Sequence, residues 1–358
     1  MPSLKEIKGR INSISSTLAI TSAMKMVASA KLQKAQMAIQ NMLPYERRLY
    51  SMLLDLMGAM NISAAASEDG SVRGSGSAER GFDQSGDRLS LSNRHDLAGM
   101  DGAYSLMAQR EVRKVAIVAF ASNSSLCGAF NSNAIREATA VINEYRASGL
   151  GDADITVYSV GRKMAEAMRK LGFPSPADFT KMSDSPSYDA ASALAQELFD
   201  GFVSGRFDKV ELVYNHYKST SSQPTTRQTY LPLSLADATA DIQVGKITDS
   251  ASETDTNKVA EPVGAPVVRQ GSPTTEDLIV EPSKEALIAT LLPKVVRLRI
   301  FTTLLDSAAA EHAARTVAMQ LATDNGNDLL QELTLEYNKG RQQKITSEIL
   351  DLVGGSLQ

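Results

Sequence analysis

The chain of 358 residues offers few side chains of the types that usually perform catalysis. It contains one cysteine, Cys127, and three histidines, His95, His216 and His312, which lie far apart in sequence. Their spacing does not resemble a zinc site, and no Ser/His/Asp set can be proposed from them. A small buried thiol without a task explains Cys127 better than a nucleophile does. The sequence therefore predicts no catalytic residue and no metal ligand.

Glycine-rich loops that could hold phosphate groups are missing as well. There is no G-x-x-x-x-G-K-[ST] sequence, and no G-x-G-x-x-G follows the strand predicted at 112–120. Gly74 and Gly76 lie in a stretch rich in Ser, Gly and charge, so their spacing carries no weight. The formal net charge of −4 gives no sign of nucleic-acid binding. We therefore expect no cofactor and no nucleic-acid partner.

Two polar clusters near the ends of the chain are more informative. Residues 1–50 hold eight Lys or Arg against two acidic residues, and Arg341 to Lys344 form a second cluster between apolar turns. The basic face of a helix is usually only solvated. Lys25 is different, because it occupies a position where a predicted helix should be apolar. Such a charge is tolerable where a coiled coil is splayed, ends or faces a third partner.

The helix that carries Lys25 is defined by a seam of twelve positions in alternating steps of three and four. Ten of the twelve are apolar, and only Thr21 and Lys25 are polar, which predicts a coiled coil. Ser3 and Glu6 could form a capping box at its start, and Pro44 need not end the helix. At 1.5 Å per residue, residues 3–58 would span about 80 Å. The seam consists of Leu4, Ile7, Ile11, Ile14, Leu18, Thr21, Lys25, Ala28, Leu32, Ala35, Ile39 and Met42.

A second long helix is predicted at the other end of the chain, over most of 284–353. Apolar residues return there at helical spacing, ending with Ile345, Ile349 and Leu352. Gly326 and Gly340 each weaken a helix by up to about 1 kcal/mol but need not end it. We expect the two helices to pair antiparallel, so that residues 1–60 and 281–358 form one discontinuous shaft.

Between these helices, residues 111–233 alternate between strand and helix patterns. The alternation predicts a small Rossmann-like α/β domain with a mostly parallel sheet, placed at the end of the shaft where residue 58 leaves and residue 284 enters. Residues 61–110 and 234–280 are of low complexity and are predicted to be a disordered or loosely packed insert and a solvated acidic loop. The predicted strands are 112–120, 154–161, 209–217 and an edge strand at 227–233, with helices at 132–147, 162–172 and 189–203.

Three stretches resemble a known family, the gamma subunit of F-type rotary ATP synthases. ITSAMKMVASAKLQKAQ (20–36) is similar to its N-terminal signature, LCGAFN (126–131) to its loop after the first strand, and residues 311–355 to its C-terminal signature. The chain departs from the family pattern in its last three residues, in its longer inserts and in two further features. Asn123, Ser124 and Ser125 stand where the family usually has Asp-Arg-Gly, and the chloroplast-type cysteine pair is absent.

The resemblance implies a central shaft that rotates and catalyses nothing. The coiled coil would turn inside a ring of alternating alpha and beta subunits, and the α/β foot would rest on the c-ring together with the epsilon subunit. Rotation would then couple proton or sodium flow to ATP synthesis or hydrolysis. No apolar run of about 18 residues and no secretory signal is present, so we expect peripheral association with the cytoplasmic side of a bacterial plasma membrane. A mature organellar chain is the alternative.

The resemblance also implies which residues contact the catalytic ring. The motifs MKM, RQ and ITSE carry over the contacts Met24, Lys25, Arg341, Gln342 and Thr346. For Met24 and Thr346, ordinary packing within the coiled coil is the alternative.

Two other functions fit the residues taken alone. A coiled-coil adaptor with an α/β head would need no catalytic residue either, and would not co-purify with nucleotide-binding subunits. A nucleotide-binding α/β enzyme with helical arms would bind nucleotide saturably, but the missing glycine loop argues against it.

Overall fold

The computed structural model describes residues 3–59, 106, 109–233 and 283–355. The predicted insert 234–280 lies outside these residues, and so does almost all of the insert 61–110. In chain order the elements are α1 (Leu4–Ala59), β1 (Val115–Phe120), α2 (Phe130–Ala147), β2 (Ile155–Val160), α3 (Arg162–Lys170), α4 (Thr180–Asp184), α5 (Tyr188–Val203), β3 (Lys209–Asn215), β4 (Thr225–Leu231) and α6 (Lys284–Gly355).

Both long predicted helices are continuous. The backbone N–H of Glu6 donates to the Ser3 hydroxyl at 3.2 Å, as a capping box requires. Pro44 lies inside α1 and Pro293 inside α6, and neither ends its helix. Gly326 and Gly340 are also internal to α6. At 56 and 72 residues, these helices are much longer than those of an ordinary globular domain.

The two helices run antiparallel along each other. Residues with higher numbers in α1 contact residues with lower numbers in α6, which shows that the two helices are antiparallel. Leu4 faces Gly340, and Leu18 faces Gly326. Further along, the seam residues Leu32 and Ala35 pack against Ala309 and Ala313. Near the other end, the Tyr50 hydroxyl accepts a hydrogen bond from Arg299 at 2.9 Å.

The four strands form one sheet in the order β2-β1-β3-β4. β1 is parallel to both β2 and β3, and β4 joins the edge antiparallel to β3. This is the mostly parallel sheet with an edge strand that the sequence predicts. Every residue of β1 is buried, because helices cover both faces of the central strand. The short helix α4 was not predicted.

The α/β part lies beside the shaft and not only at its end. One hydrophobic core contains Leu53 of α1, Leu212 of β3, Leu198 of α5 and Leu292 of α6. The Tyr230 hydroxyl of β4 donates to the backbone carbonyl of Val296 in α6 at 2.8 Å. The α/β part was expected only at the end of the shaft. In the structure the side of α6 also packs against the sheet. The division into shaft, foot and inserts stays a prediction.

Candidate interaction surface on the helix pair

The seam predicted in α1 is the face that packs on α6. All twelve seam positions are buried or half-buried, including the two polar ones. The Thr21 hydroxyl accepts a hydrogen bond from the Thr323 hydroxyl at 3.0 Å and donates to the Leu18 carbonyl at 3.1 Å. Lys25 is half-buried beside it. The polar interruption thus stays within the helix pair, because the threonine hydroxyls satisfy each other across it.

The helix pair has two halves that differ in burial. The lower half, residues 28–56 of α1 with 288–318 of α6, packs against the sheet or its loops. The upper half, residues 4–27 of α1 with 319–340 of α6, exposes large apolar side chains. Clusters of this kind on a protein surface mark sites that another molecule covers. The exposed residues are Ile20, Met24, Met26, Val27, Leu321, Leu329 and Leu335.

A terminal segment of α6, residues 341–352, extends beyond the first residue of α1. A Cβ placed on Gly340 would stand 3.2 Å from Leu4, the first helical residue of α1. Ile345, Ile349 and Leu352 are 48%, 55% and 75% exposed. The spacing of these three residues fits a packed helix face, yet nothing within the described part of the chain covers them. The physical reason is that α1 begins at Leu4, opposite Gly340, and does not run alongside the segment beyond it.

The predicted contact residues fall into two separate groups. Arg341, Gln342 and Thr346 are exposed in the terminal segment, where the Thr346 hydroxyl donates to the Gln342 carbonyl at 2.9 Å. Met24 is 39% exposed, and Lys25 is half-buried, in the upper half. Since Lys25 lies near the level of residue 320, the two groups are about 30 Å apart along the helix axis. They can serve one partner only if that partner surrounds a long stretch of the shaft.

A third polar feature lies where the upper half meets the α/β part. Arg315 of α6 forms an ion pair with Glu311 at 2.7 Å and donates to the Ser124 hydroxyl in the loop after β1, also at 2.7 Å. Burial raises the pKa of Glu311 in spite of the Arg315 charge. This contact was not predicted from the sequence. The isolated Glu and Arg, four residues apart in the alanine-rich stretch after Asp306, were the available signal.

The loop after β3 makes a matching contact lower on α6. Asp306 accepts hydrogen bonds from the backbone N–H of Tyr217 at 2.9 Å and is 2.6 Å from Nδ1 of His216. The Tyr217 hydroxyl in turn accepts from Gln36 of α1 at 2.6 Å. The loop is therefore joined to both helices of the shaft.

The shaft occupies the place where sheets of this order usually bind a ligand. In a doubly wound sheet the ligand crevice lies at the carboxyl ends of the strands, where the strand order reverses, here between β1 and β3. Cys127 and Phe130, just after β1, pack there on Ala310 of α6. A cavity of about 10 Å³ remains between Phe120, Leu304 and Glu311, with room for about one water. The geometry gives a nucleotide no access to this crevice.

Cys127 has the surroundings of a structural thiol. It is 1% exposed, and its sulfur lies 3.2 Å from the Asn131 side-chain nitrogen and 3.7 Å from the Ser122 hydroxyl. Across residues 3–59, 109–233 and 283–355, side chains of His, Cys, Asp and Glu do not gather in threes as a metal site would need. In these same ranges, each helix is too polar or too short to cross a membrane.

Comparison with protein families gives one match over almost the whole chain. A family described as ATP synthase matches residues 3–357. A curated relative, the ATP synthase gamma chain of Phocaeicola vulgatus, is 47% identical over 357 residues and is covered completely, as is this chain. The ATP synthase gamma chain of Bacteroides thetaiotaomicron is 44% identical over 358 residues, again with complete coverage of both. That of Flavobacterium psychrophilum is 34% identical and covers 99% of this chain.

Solved structures with the same fold are central parts of mitochondrial ATP synthases. The rotor of the Euglena gracilis enzyme in rotational state 1 gives a TM-score of 0.51 at 17% identity, covering 96% of this chain and 98% of that one. A second Euglena gracilis structure, of OSCP, F1 and c-ring in rotational state 3, also gives 0.51, at 18% identity, and covers 98% and 92% of the two chains. At this identity the likeness shows the fold alone.

Proposed function

The chain belongs to the ATP synthase gamma family, and from this premise we propose that it is the central-stalk rotor of an F-type ATP synthase. Its rotation couples proton or sodium flow through a membrane sector to ATP synthesis or hydrolysis in a catalytic head. The chain itself catalyses no reaction in this proposal. The catalytic sites belong to the subunits around it.

The observation that carries this proposal is the helix pair that leaves the α/β part. From residue 319 to residue 355, α6 extends about 55 Å beyond its last contact with the loop after β1. A shaft must reach far from its base and resist twisting, and two helices packed along a common seam meet both needs. The exposed apolar residues on that extension supply the surface that a surrounding ring would cover.

The upper half is also suited to turning. Its exposed Met, Val and Leu side chains are interrupted by polar and basic residues, which limits the depth of the energy minimum at any one rotational position. Exposed ion pairs contribute only about 0–1 kcal/mol each and can break at every step. Because a helix pair is not symmetric, its rotation presents a different face to each ring subunit and favours a different state in each.

The partners follow from this role. Alpha and beta subunits would surround the upper half and the terminal segment, while the epsilon subunit and the c-ring would contact the α/β foot. The chain would then be held at the cytoplasmic face of a bacterial plasma membrane only through the complex. Recovery of the tagged chain from its native membrane, followed by identification of what accompanies it, tests these partners. Recovery without nucleotide-binding subunits would favour the adaptor.

A sharper test removes the predicted contacts in the terminal segment. We expect Arg341→Ala with Gln342→Ala to lower ATP synthesis by the assembled complex severalfold, because loss of two such interface side chains costs about 1 kcal/mol or more each. The isolated subunit should unfold at the temperature of the wild type, since both side chains are exposed.

Lys34→Ala is the matched control. Lys34 is exposed on the lower half of α1, which none of the proposed partners surrounds. Synthesis should be normal in this variant. Equal rates in the double variant and the control would remove Arg341 and Gln342 from the interface.

A further inference from the structure

The contacts at the neck of the shaft form a unit that we name the collar. It consists of residues 121–129 after β1, residues 215–217 after β3, and residues 306–318 of α6. The two loops lie side by side, because the Asn215 side chain donates at 3.1 Å to the carbonyl of Phe130, the first residue after the β1 loop. Above the collar, α6 meets α1 at Thr21, Leu18 and Leu4.

Small side chains bring α6 close to these loops and leave little apolar contact. Ala310 is fully buried against Cys127 and Phe130, and a Cβ placed on Gly128 would stand 3.8 Å from the Cβ of Ala318. Alanine offers few atoms for dispersion contacts, in contrast to the leucine-rich core below residue 305. Polar contacts must therefore supply much of the attachment at this height.

Two polar ties supply it, one from each loop. Asp306 holds the backbone of Tyr217, and Arg315 holds the Ser124 hydroxyl nine residues further along α6. Nine residues are two and a half turns, so the ties lie at two heights and on different sides of the helix. Two attachments arranged in this way oppose rotation of α6 against the sheet, which a single attachment would not.

We propose that the collar fixes the rotational register of the shaft on its foot, with Ser124 and Asp306 as positioning residues for torque transfer. This inference rests on the proposed function as a rotor. Without the collar, the unsupported part of α6 would begin near residue 305 and not near residue 319. Its paired length up to residue 340 would rise from about 33 Å to about 54 Å, and a longer rod twists further under the same torque.

Ser124→Ala with Asp306→Ala cuts both ties and spares the core. The buried pair of Glu311 and Arg315 remains, and the loop keeps its own hydrogen bonds, because these use the backbone carbonyl of Ser124. The matched control is Ser148→Ala with Asp152→Ala, which removes the same side chains at the end of α2, where Asp152 pairs with Arg146 at 2.6 Å. Thermal unfolding of each isolated subunit checks that both variants fold.

The measurement is the ratio of ion pumping to ATP hydrolysis by the assembled complex in membrane vesicles. We expect the collar variant to hydrolyse ATP normally while the ratio falls, because a shaft that slips on its foot lets hydrolysis proceed without driving ion pumping. The control should keep the wild-type ratio.

A disulfide supplies the rescue. Gly128→Cys with Ala318→Cys has the Cβ separation of 3.8 Å that disulfides prefer, and Cys127→Ser removes the competing thiol from a site that is already polar. Because Gly128 has φ +58, a cysteine there strains the backbone in both redox forms. The oxidised protein is therefore compared with the reduced form of the same variant. Oxidation should restore the ratio in the collar variant and leave it unchanged in the control.

Two outcomes would overturn the inference. One is a collar variant whose ratio equals that of the control, and the other is a reduced ratio that oxidation does not restore. A wild-type chain that is not recovered with a catalytic head would refute the proposed function itself, and the collar's role in torque transfer with it.

Discussion

The lower and upper halves of the helix pair follow one sequence pattern and have opposite surroundings. Both have seam positions at steps of three and four, and α1 and α6 pass through both without a break. In the lower half, residues such as Leu292 and Val296 are fully buried between α1 and the sheet. In the upper half, Leu321 and Leu335 are 57% and 65% exposed. Periodicity thus determines which face pairs, and the rest of the fold determines what else is covered.

The comparison predicts its largest effect for one leucine substitution in each half. Leu292→Ala should lower the free energy of unfolding of the isolated subunit by about 3–4 kcal/mol, because it removes a fully buried side chain and leaves a cavity. Leu335→Ala should change it by less than about 0.5 kcal/mol. Urea unfolding measures both. Similar losses in the two variants would mean that the upper half is packed in solution as tightly as the lower.

A smaller effect is expected from pH at the boundary of the halves. Burial, together with the positive charges of Arg315 and Lys31, lowers the pKa of His312 to about 4. As the pH falls, His312 of the unfolded chain is therefore protonated near pH 6.5, whereas His312 of the folded chain stays neutral until about pH 4. Stability should be fully present above pH 6.5 and fall by about 1–2 kcal/mol as the pH drops toward 4, allowing for partial exposure of the ring.

The His312→Gln variant isolates this contribution, since glutamine does not titrate. Unfolding of wild type and variant across pH 4–7 should show a steeper decline for the wild type. Parallel curves would place the acid sensitivity of the subunit elsewhere.

The smallest effect concerns the polar interruption of the seam in the upper half. Thr21→Val with Thr323→Val removes two hydroxyls that bond to each other and keeps the shape of both side chains. Replacing both partners of a hydrogen bond is close to neutral, so stability should change by less than about 0.5 kcal/mol. A large loss on thermal unfolding would show that the hydroxyls hold the upper half together. Normal stability with impaired ATP synthesis would assign them to rotation.

The sequence was sufficient for the elements and for the pairing face, for physical reasons that particular residues illustrate. The seam from Leu4 to Met42 was correct because a heptad pattern depends only on local geometry. β1 was predicted to begin at 112 and begins at Val115, since the charged Arg113 and Lys114 lie outside the sheet. The apolar turns at Ile345 and Ile349 could not be assigned from spacing alone, because no residue that the structure describes covers them.

The collar could not be predicted, since it joins residues that are remote in sequence. Ser124 and Arg315 are 191 positions apart, and neither has a neighbour that announces the contact. The contacts predicted at Met24, Lys25, Arg341, Gln342 and Thr346 stay predictions, although all but the half-buried Lys25 are exposed.

The terminal segment of α6 bears on how the shaft acquires its final length. From residue 341 to the end of α6 at Gly355, fifteen residues of helix have no lateral support from other described residues. A helix of this length is near the limit of stability in water, and here only the paired turns below nucleate it. Amide hydrogens should therefore exchange progressively faster from residue 341 toward residue 355 in the free subunit. Enclosure by neighbouring subunits would slow that exchange, so the tip would become rigid at assembly and the working length of the rotor would be a property of the complete machine.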